Sequence, residues 1–219
     1  MQDLLRLPRA PWLFGLMTVG GVGLFVLAVA VVMAAPAALI GERPASMTCL
    51  QIAFTPARIT DIILAFPADI RVPIADMLVP GDMVLAFGYG FLLTGLTGLL
   101  AMRLPGSWFR IGAIIMWAPL LAATLDCVED IFLRTAIMQL VQDPAAEIPL
   151  LVPLLAGVAA TVKYLCISVV TPMYCFAGVV KGLQVDRGIL ALLLYALTVI
   201  VMISFVLQPM QQIPPCFLS

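Results

Sequence analysis

Apolar positions in this chain neither alternate nor recur as narrow stripes over most of its length; they run on unbroken. Five runs reach the roughly 20 residues that a helix needs to cross a bilayer core. They are Trp12–Ala35, Met83–Met102, Ile111–Phe132, Leu150–Val180 and Ile189–Leu207. A run in lipid must be helical, because a helix pairs its own N–H and C=O groups where no water can. The pattern predicts an all-α integral membrane bundle of about five transmembrane helices. No polar segment is long enough to fold separately, so residues 1–219 read as a single transmembrane domain.

Between the first two runs the pattern changes. In the loop Gly41–Gly81, Thr55-Pro56 has the form of a helix N-cap and first-turn proline, and Ile59, Ile62, Ile63 and Phe66 follow at helical spacing. This predicts a short amphipathic helix over Pro56–Phe66, with a second around Ile70–Val79. Their apolar side would be buried on the membrane surface or on the end of the bundle. A structural cap is the expectation, with a substrate-binding lid as the alternative.

Inside the runs, small residues mark helix contacts. Ala86, Gly90, Thr94 and Gly98 stand four apart in the second run, and Gly157/Thr161 and Gly178/Gly182 repeat that spacing in the fourth. Such stripes serve internal packing or a homo-oligomer interface. Gly20-Gly21-Val22-Gly23 lies in an apolar run, where it cannot cradle a phosphate, and reads as packing. Pro119 and Pro172 fall inside runs three and four and predict kinks.

Composition reinforces the membrane reading and narrows the chemistry. The chain is 63% hydrophobic and 11% charged, with a mean hydropathy of +1.17, where an ordinary soluble domain carries roughly 25% charge. Membrane lipids are therefore its first partners, with a membrane-protein partner or a second copy compatible with the stripes. A net charge of −1, with Lys and Arg scattered singly, supplies no basic patch for nucleic-acid phosphates. The absence of His removes the commonest haem ligand and the side chain that titrates nearest neutral pH. No cofactor is expected, and proton chemistry would fall to carboxylates, Lys, Tyr or Cys.

Positive charge collects on the cytoplasmic side of a membrane protein. With the N-terminus inside, Arg6, Arg9, Arg103, Arg110, Lys181 and Arg187 lie there next to spans, while Arg134 and the dispersed Arg43, Arg58 and Arg71 lie outside. The expectation is an inner-membrane protein with a cytoplasmic N-terminus and an external C-terminus. Arg6 and Arg9 before an apolar run, with small residues at Ala34-Ala35-Pro36-Ala37, resemble a signal peptide. The run exceeds the usual 7–15 residues or so, which favours an uncleaved signal anchor.

Ionisable residues inside spans are the strongest functional lead, because each costs roughly 2.5–3.5 kcal/mol at a helix centre. The acids are Asp82, Asp126, Glu129 and Asp130, and Lys163 is the single embedded base. Counting from the cytoplasmic charges at about 1.5 Å per residue puts Asp126 about 24 Å, Lys163 about 27 Å, Glu129 about 28 Å, Tyr89 about 21 Å and Asp82 about 31 Å up. All fall in one layer of the outer half. Asp126 and Glu129 share a face, and consecutive spans pack antiparallel, so Lys163 is placed to meet both. Asp130 and Arg134, four apart, are expected to form an ion pair on the helix surface. The cluster of Asp82, Tyr89, Asp126, Glu129 and Lys163 has two readings: a charge pair that fixes helix register, or a polar cavity whose surplus carboxylate takes a cation, proton or polar headgroup.

Phe54-Thr55-Pro56-Ala57-Arg58, Asp82 with Phe87-Gly88-Tyr89-Gly90, Asp126-Cys127-Val128-Glu129 and Thr161-Val162-Lys163-Tyr164 together resemble a group of small uncharacterised bacterial polytopic membrane proteins. In that group an Asp-x-x-Glu on one span precedes a Lys on the next. The likeness covers roughly the middle half of the chain. Where the group commonly has Asn after the Glu, this chain has Asp130. The resemblance implies the charge layer and no particular activity.

None of the five cysteines forms a C-x-x-C, and without His they make no metal pattern. Cys127, Cys166 and Cys175 lie in spans and read as small buried residues. Cys49 and Cys216 both fall on the expected outer face, where an oxidising compartment would permit a disulfide between them. No G-x-S-x-G, P-loop, H-E-x-x-H or dinucleotide fingerprint occurs, so no catalytic residue is assigned. Three functions fit, in this order. The first is a non-catalytic accessory, assembly or lipid-interacting subunit with a structural charge layer. The second is a small carrier or ion-coupled binding protein with an outer-facing polar cavity. The third is an intramembrane enzyme using a carboxylate as acid or base.

Overall fold

The computed structural model describes residues 11–32 and 44–212. Among these the chain is all helical, with no strand, and five helices are long and apolar enough to cross a membrane. The protein is a multi-pass membrane protein. Arg6, Arg9, Ala34–Ala37, Arg43 and Cys216 lie outside the described residues.

The first span, Pro11–Ala30, lies along the second and exposes Trp12, Leu16 and Val19. Two glycines permit that contact. A Cβ on Gly88 would sit 2.7 Å from the backbone nitrogen of Phe25, and one on Gly21 would sit 2.8 Å from the Gly88 carbonyl oxygen. The expected stripe is split: Gly90 faces Ala123 of the third span and Gly98 faces the Phe14 ring of the first. The second span's helix is Met83–Met102, ending before a turn in which Gly106 adopts φ 60°, a left-handed conformation that glycine tolerates best.

The third span begins with a helix at Ser107–Ile115 and restarts as Ala118–Gln142. Pro119 falls in the first turn of the second piece, where its missing N–H leaves no bond unmade. That helix runs ten residues past Phe132, the boundary read from the apolar run. Ala136, Ile137 and Leu140 continue the buried face of Leu133 at helical spacing after the charged Arg134 has interrupted the run. The fourth span, Leu151–Val185, widens into a π-type turn over Leu165–Val170, where the Thr171 N–H reaches the Cys166 carbonyl. Pro172 follows directly and cannot donate to the carbonyl one turn back, so the helix opens there. The fifth span packs on the fourth: the Tyr195 ring lies against Gly182, and Ser168 Oγ donates to the Phe205 carbonyl at 3.1 Å.

Two apolar clusters result, one between spans two to five and one at the loop end. The loop carries three helices: Pro44–Gln51, Pro56–Ala65 and Ala68–Asp76. The middle one starts as its sequence predicts, with Thr55 Oγ1 accepting from the Arg58 N–H at 3.4 Å. Its Ile59 and Ile63 are buried with Leu133, Ile137, Leu140 and Ala156, so the loop caps the bundle's end. The Phe54 ring seats on Gly157. At the opposite end Arg103 donates to Asp186 at 2.5 Å, joining the turns after spans two and four. The Gly188 N–H and then Arg103 hold the Asp186 carboxyl below the ordinary carboxylate range.

Candidate functional site: a buried carboxylate centre

Asp126, Glu129 and Asp130 occupy the middle of the Ala118–Gln142 helix and turn to one side of it, as spacings of three and four dictate. Asp126 is 5% exposed, and Glu129 and Asp130 are 0% exposed. From the fourth span Lys163 reaches across, 3% exposed itself. Its Nζ donates to Asp126 Oδ1 at 2.5 Å and to Glu129 Oε2 at 2.7 Å. From the second span the Tyr89 hydroxyl donates to Asp126 Oδ2 at 2.7 Å. Asp126 is thus the hub of three spans, and both its oxygens are engaged.

Asp82 comes to this centre from the start of the second span. The chain breaks helix just before it, at Val79 with φ −133° and ψ 114°, because a residue preceding proline is pushed out of the helical region. Asp82 follows in helical conformation, in the first turn after that break, and its side chain makes no capping hydrogen bond. One oxygen each from Asp82, Asp126 and Asp130 lie within 4.8 Å of one another. Asp82 is the half-buried member of the three.

The expected Asp130–Arg134 ion pair does not form. Arg134 reaches Asp76 of the loop at 3.3 Å instead, with both side chains partly in the open. Asp130 turns inward, and neither of its carboxylate oxygens has a hydrogen-bond partner among the described residues. Spacing of four puts two residues on one side of a helix but does not rank their partners. Here the inward side already holds Asp126, four residues before Asp130, while the longer arginine extends toward the loop. An exposed pair such as Arg134–Asp76 contributes roughly 0–1 kcal/mol. Glu129 Oε1 is a further buried oxygen without a partner among the described residues.

Two contacts escaped sequence reasoning. Tyr164, next to Lys163, donates to Gln51 Oε1 of the first loop helix at 2.7 Å, and the Lys163 ammonium lies 5.0 Å from the Tyr164 ring centroid. No spacing rule links Gln51 to Tyr164; the only signal was a polar residue ending a short helix beside the membrane. Cys49, on the same loop helix, is disulfide-bonded, and its expected partner Cys216 lies outside the described residues. Cys127, Cys166 and Cys175 carry free thiols. Intact-mass measurement on alkylated chain, with and without reductant, is expected to show the two hydrogens of one reduced disulfide; Cys216→Ser would abolish that difference.

Chemically, the centre can hold positive charge. Four carboxylates, of Asp82, Asp126, Glu129 and Asp130, gather around one ammonium, and carboxylates taken out of bulk water need a compensating charge or proton. Tyr89→Phe, which removes one of the two donors to Asp126, is expected to lower stability by about 1–2 kcal/mol. Thermal unfolding of the purified chain in detergent would measure it, and an unchanged melting temperature would deny that bond any weight. Comparisons with protein-family models, with curated proteins and with solved structures each give no match, so the centre's own geometry carries the functional reading.

Proposed function

We propose that the chain is a small ion-binding membrane protein, a carrier or ion-coupled binding protein, in which the buried carboxylate centre takes up and releases a cation or protons. The observation that carries this is the surplus of acid over base: Asp130 keeps both oxygens buried and without hydrogen-bond partners among the described residues, while Lys163 is already committed to Asp126 and Glu129. A pair that only fixed helix register would need one acid for one base. Uncompensated charge in a low-dielectric interior is costly, so the extra carboxylates call for protons or a ligand. The interruptions of the second and fourth spans on either side of the centre support the same reading, since carriers commonly bind at discontinuous helices.

The proposal extends to orientation: an inner-membrane protein with its N-terminus in the cytoplasm and its C-terminus outside, so that the loop helices cap the outer end. It also includes kinship with the bacterial group that shares an Asp-x-x-Glu span followed by a Lys span. A second reading has its own observation. Lys163 bonded to two carboxylates is what a structural clamp between spans three and four would look like, and an accessory or lipid-interacting subunit would need nothing more.

Reconstituted vesicles on a solid support separate the two. Jumps from alkaline to mildly acidic buffer, and jumps of sodium, potassium, magnesium and calcium, are expected to give a transient charge displacement that Asp130→Asn diminishes. No transient across that panel would leave the clamp as the explanation.

A further inference from the structure

We infer that Asp82, Asp126 and Asp130 form a binding site for a hard divalent metal cation of the magnesium or manganese class, at the broken start of the second span. The inference rests on the ion-binding reading above and names its ligand.

Three features carry it. One oxygen from each aspartate falls within 4.8 Å of the others. Two ligands on opposite sides of an ion bound at roughly 2.1–2.4 Å are separated by about that span, so three oxygens so confined can share one ion. Independently, Asp130 is wholly buried with both oxygens lacking hydrogen-bond partners among the described residues. A carboxylate desolvated to this degree is ordinarily hydrogen-bonded, and one that is not stands ready for a ligand. The third feature is Asp82. It lies in the first helical turn after the break at Val79, and its side chain makes no capping hydrogen bond. Its carboxylate is turned to the cluster instead.

The donor set selects the ion. All three ligands are carboxylate oxygens, which suit magnesium, calcium and manganese; there is no His in the chain, so the imidazole sites favoured by zinc or copper cannot form. A divalent ion also matches the charge better than sodium or potassium, since three acids remain after Lys163 has neutralised one. Three single-oxygen ligands leave coordination positions for water, which magnesium and manganese keep and calcium needs less. Asp126 can serve while bonded to Lys163 and Tyr89, because each of its oxygens offers a second lone pair. Asp82 is the least buried of the three. Binding must displace any protons on the three carboxyls, so affinity falls as the solution is acidified.

The test uses the full chain in detergent micelles, stripped with chelator and titrated with manganese. Loss of the free-ion electron paramagnetic signal counts bound metal, and melting temperature is followed with manganese, magnesium and calcium against sodium at equal ionic strength. One manganese per chain is expected, with a rise in melting temperature. Loss of a partner behind a metal ligand already costs roughly 10–100-fold in affinity, so Asp82→Asn and Asp130→Asn, which alter ligands themselves, should each weaken binding by about tenfold or more. Asp76→Asn, which removes an acid of the exposed loop pair, should bind as the parent does. Unbound manganese, or binding untouched by Asp82→Asn and Asp130→Asn in chains that still melt cooperatively, overturns the inference. If manganese fails while the acid jump still moves charge, the centre is protonic and the broader reading stands; if both fail, both fall.

Discussion

Replacing Lys163 by methionine should lower the stability of the purified chain by about 3–5 kcal/mol, the range for breaking a buried ion pair by removing one partner. Methionine keeps most of the aliphatic stem, so little packing is lost. What remains are one oxygen of Asp126 and one of Glu129 that had faced the ammonium at 2.5 and 2.7 Å, now without it. Two neighbouring carboxylates in a low-dielectric interior repel one another once the cation between them is gone. The cost should therefore fall when the acids are neutralised too: Lys163→Met with Asp126→Asn and Glu129→Gln is expected to recover most of the loss. Heating the detergent-solubilised chains in steps and following the monodisperse fraction by size-exclusion chromatography would check it. A single variant that melts with the parent would show that Lys163 clamps nothing.

That this clamp was legible at all follows from arithmetic. Rise per residue from Arg110 and Lys181, at the other end of the spans, puts Lys163 at the height of Asp126 and Glu129, and the helices bring them within bonding distance. Run length was equally sufficient for the five spans, because lipid leaves an apolar stretch of that size one conformation. The failures have a common cause. The apolar run stops at Phe132 because Arg134 follows closely, although Ile137 and Leu140 continue the buried face of Leu133 beyond that arginine. Local spacing pairs Asp130 with Arg134 because a sequence shows neighbours on one helix and not those from another. Asp76, the actual partner, comes from 58 residues away in sequence. Height along the spans brings Asp82 to Asp126, but it does not show that Asp130 turns inward to join them.

The remaining large effect concerns the seating of the first span, and here the sign of the result decides. Alanine is favoured over glycine within a helix by about 0.8–1.0 kcal/mol, so Gly→Ala should stabilise wherever space allows. At Gly20 the added carbon would meet nothing within 4 Å among the described residues, and Gly20→Ala is expected to be neutral or stabilising. At Gly88 the same carbon would lie 2.7 Å from the nitrogen and 2.9 Å from the Cα of Phe25. Backbone cannot turn aside as a side chain can, so the first span must lift. Gly88→Ala should then cost about 1–3 kcal/mol net, as overpacking does. The same thermal series measures both variants, and a Gly88→Ala chain as stable as Gly20→Ala would mean that the first span does not rest on the second. The consequence reaches the carboxylate centre, because the next residue is Tyr89, whose hydroxyl holds Asp126. A strained second span is expected to loosen that bond, so Gly88→Ala should weaken manganese binding although Gly88 offers no ligand atom. Gly20→Ala, on the outer side of the first span, should leave binding as it was.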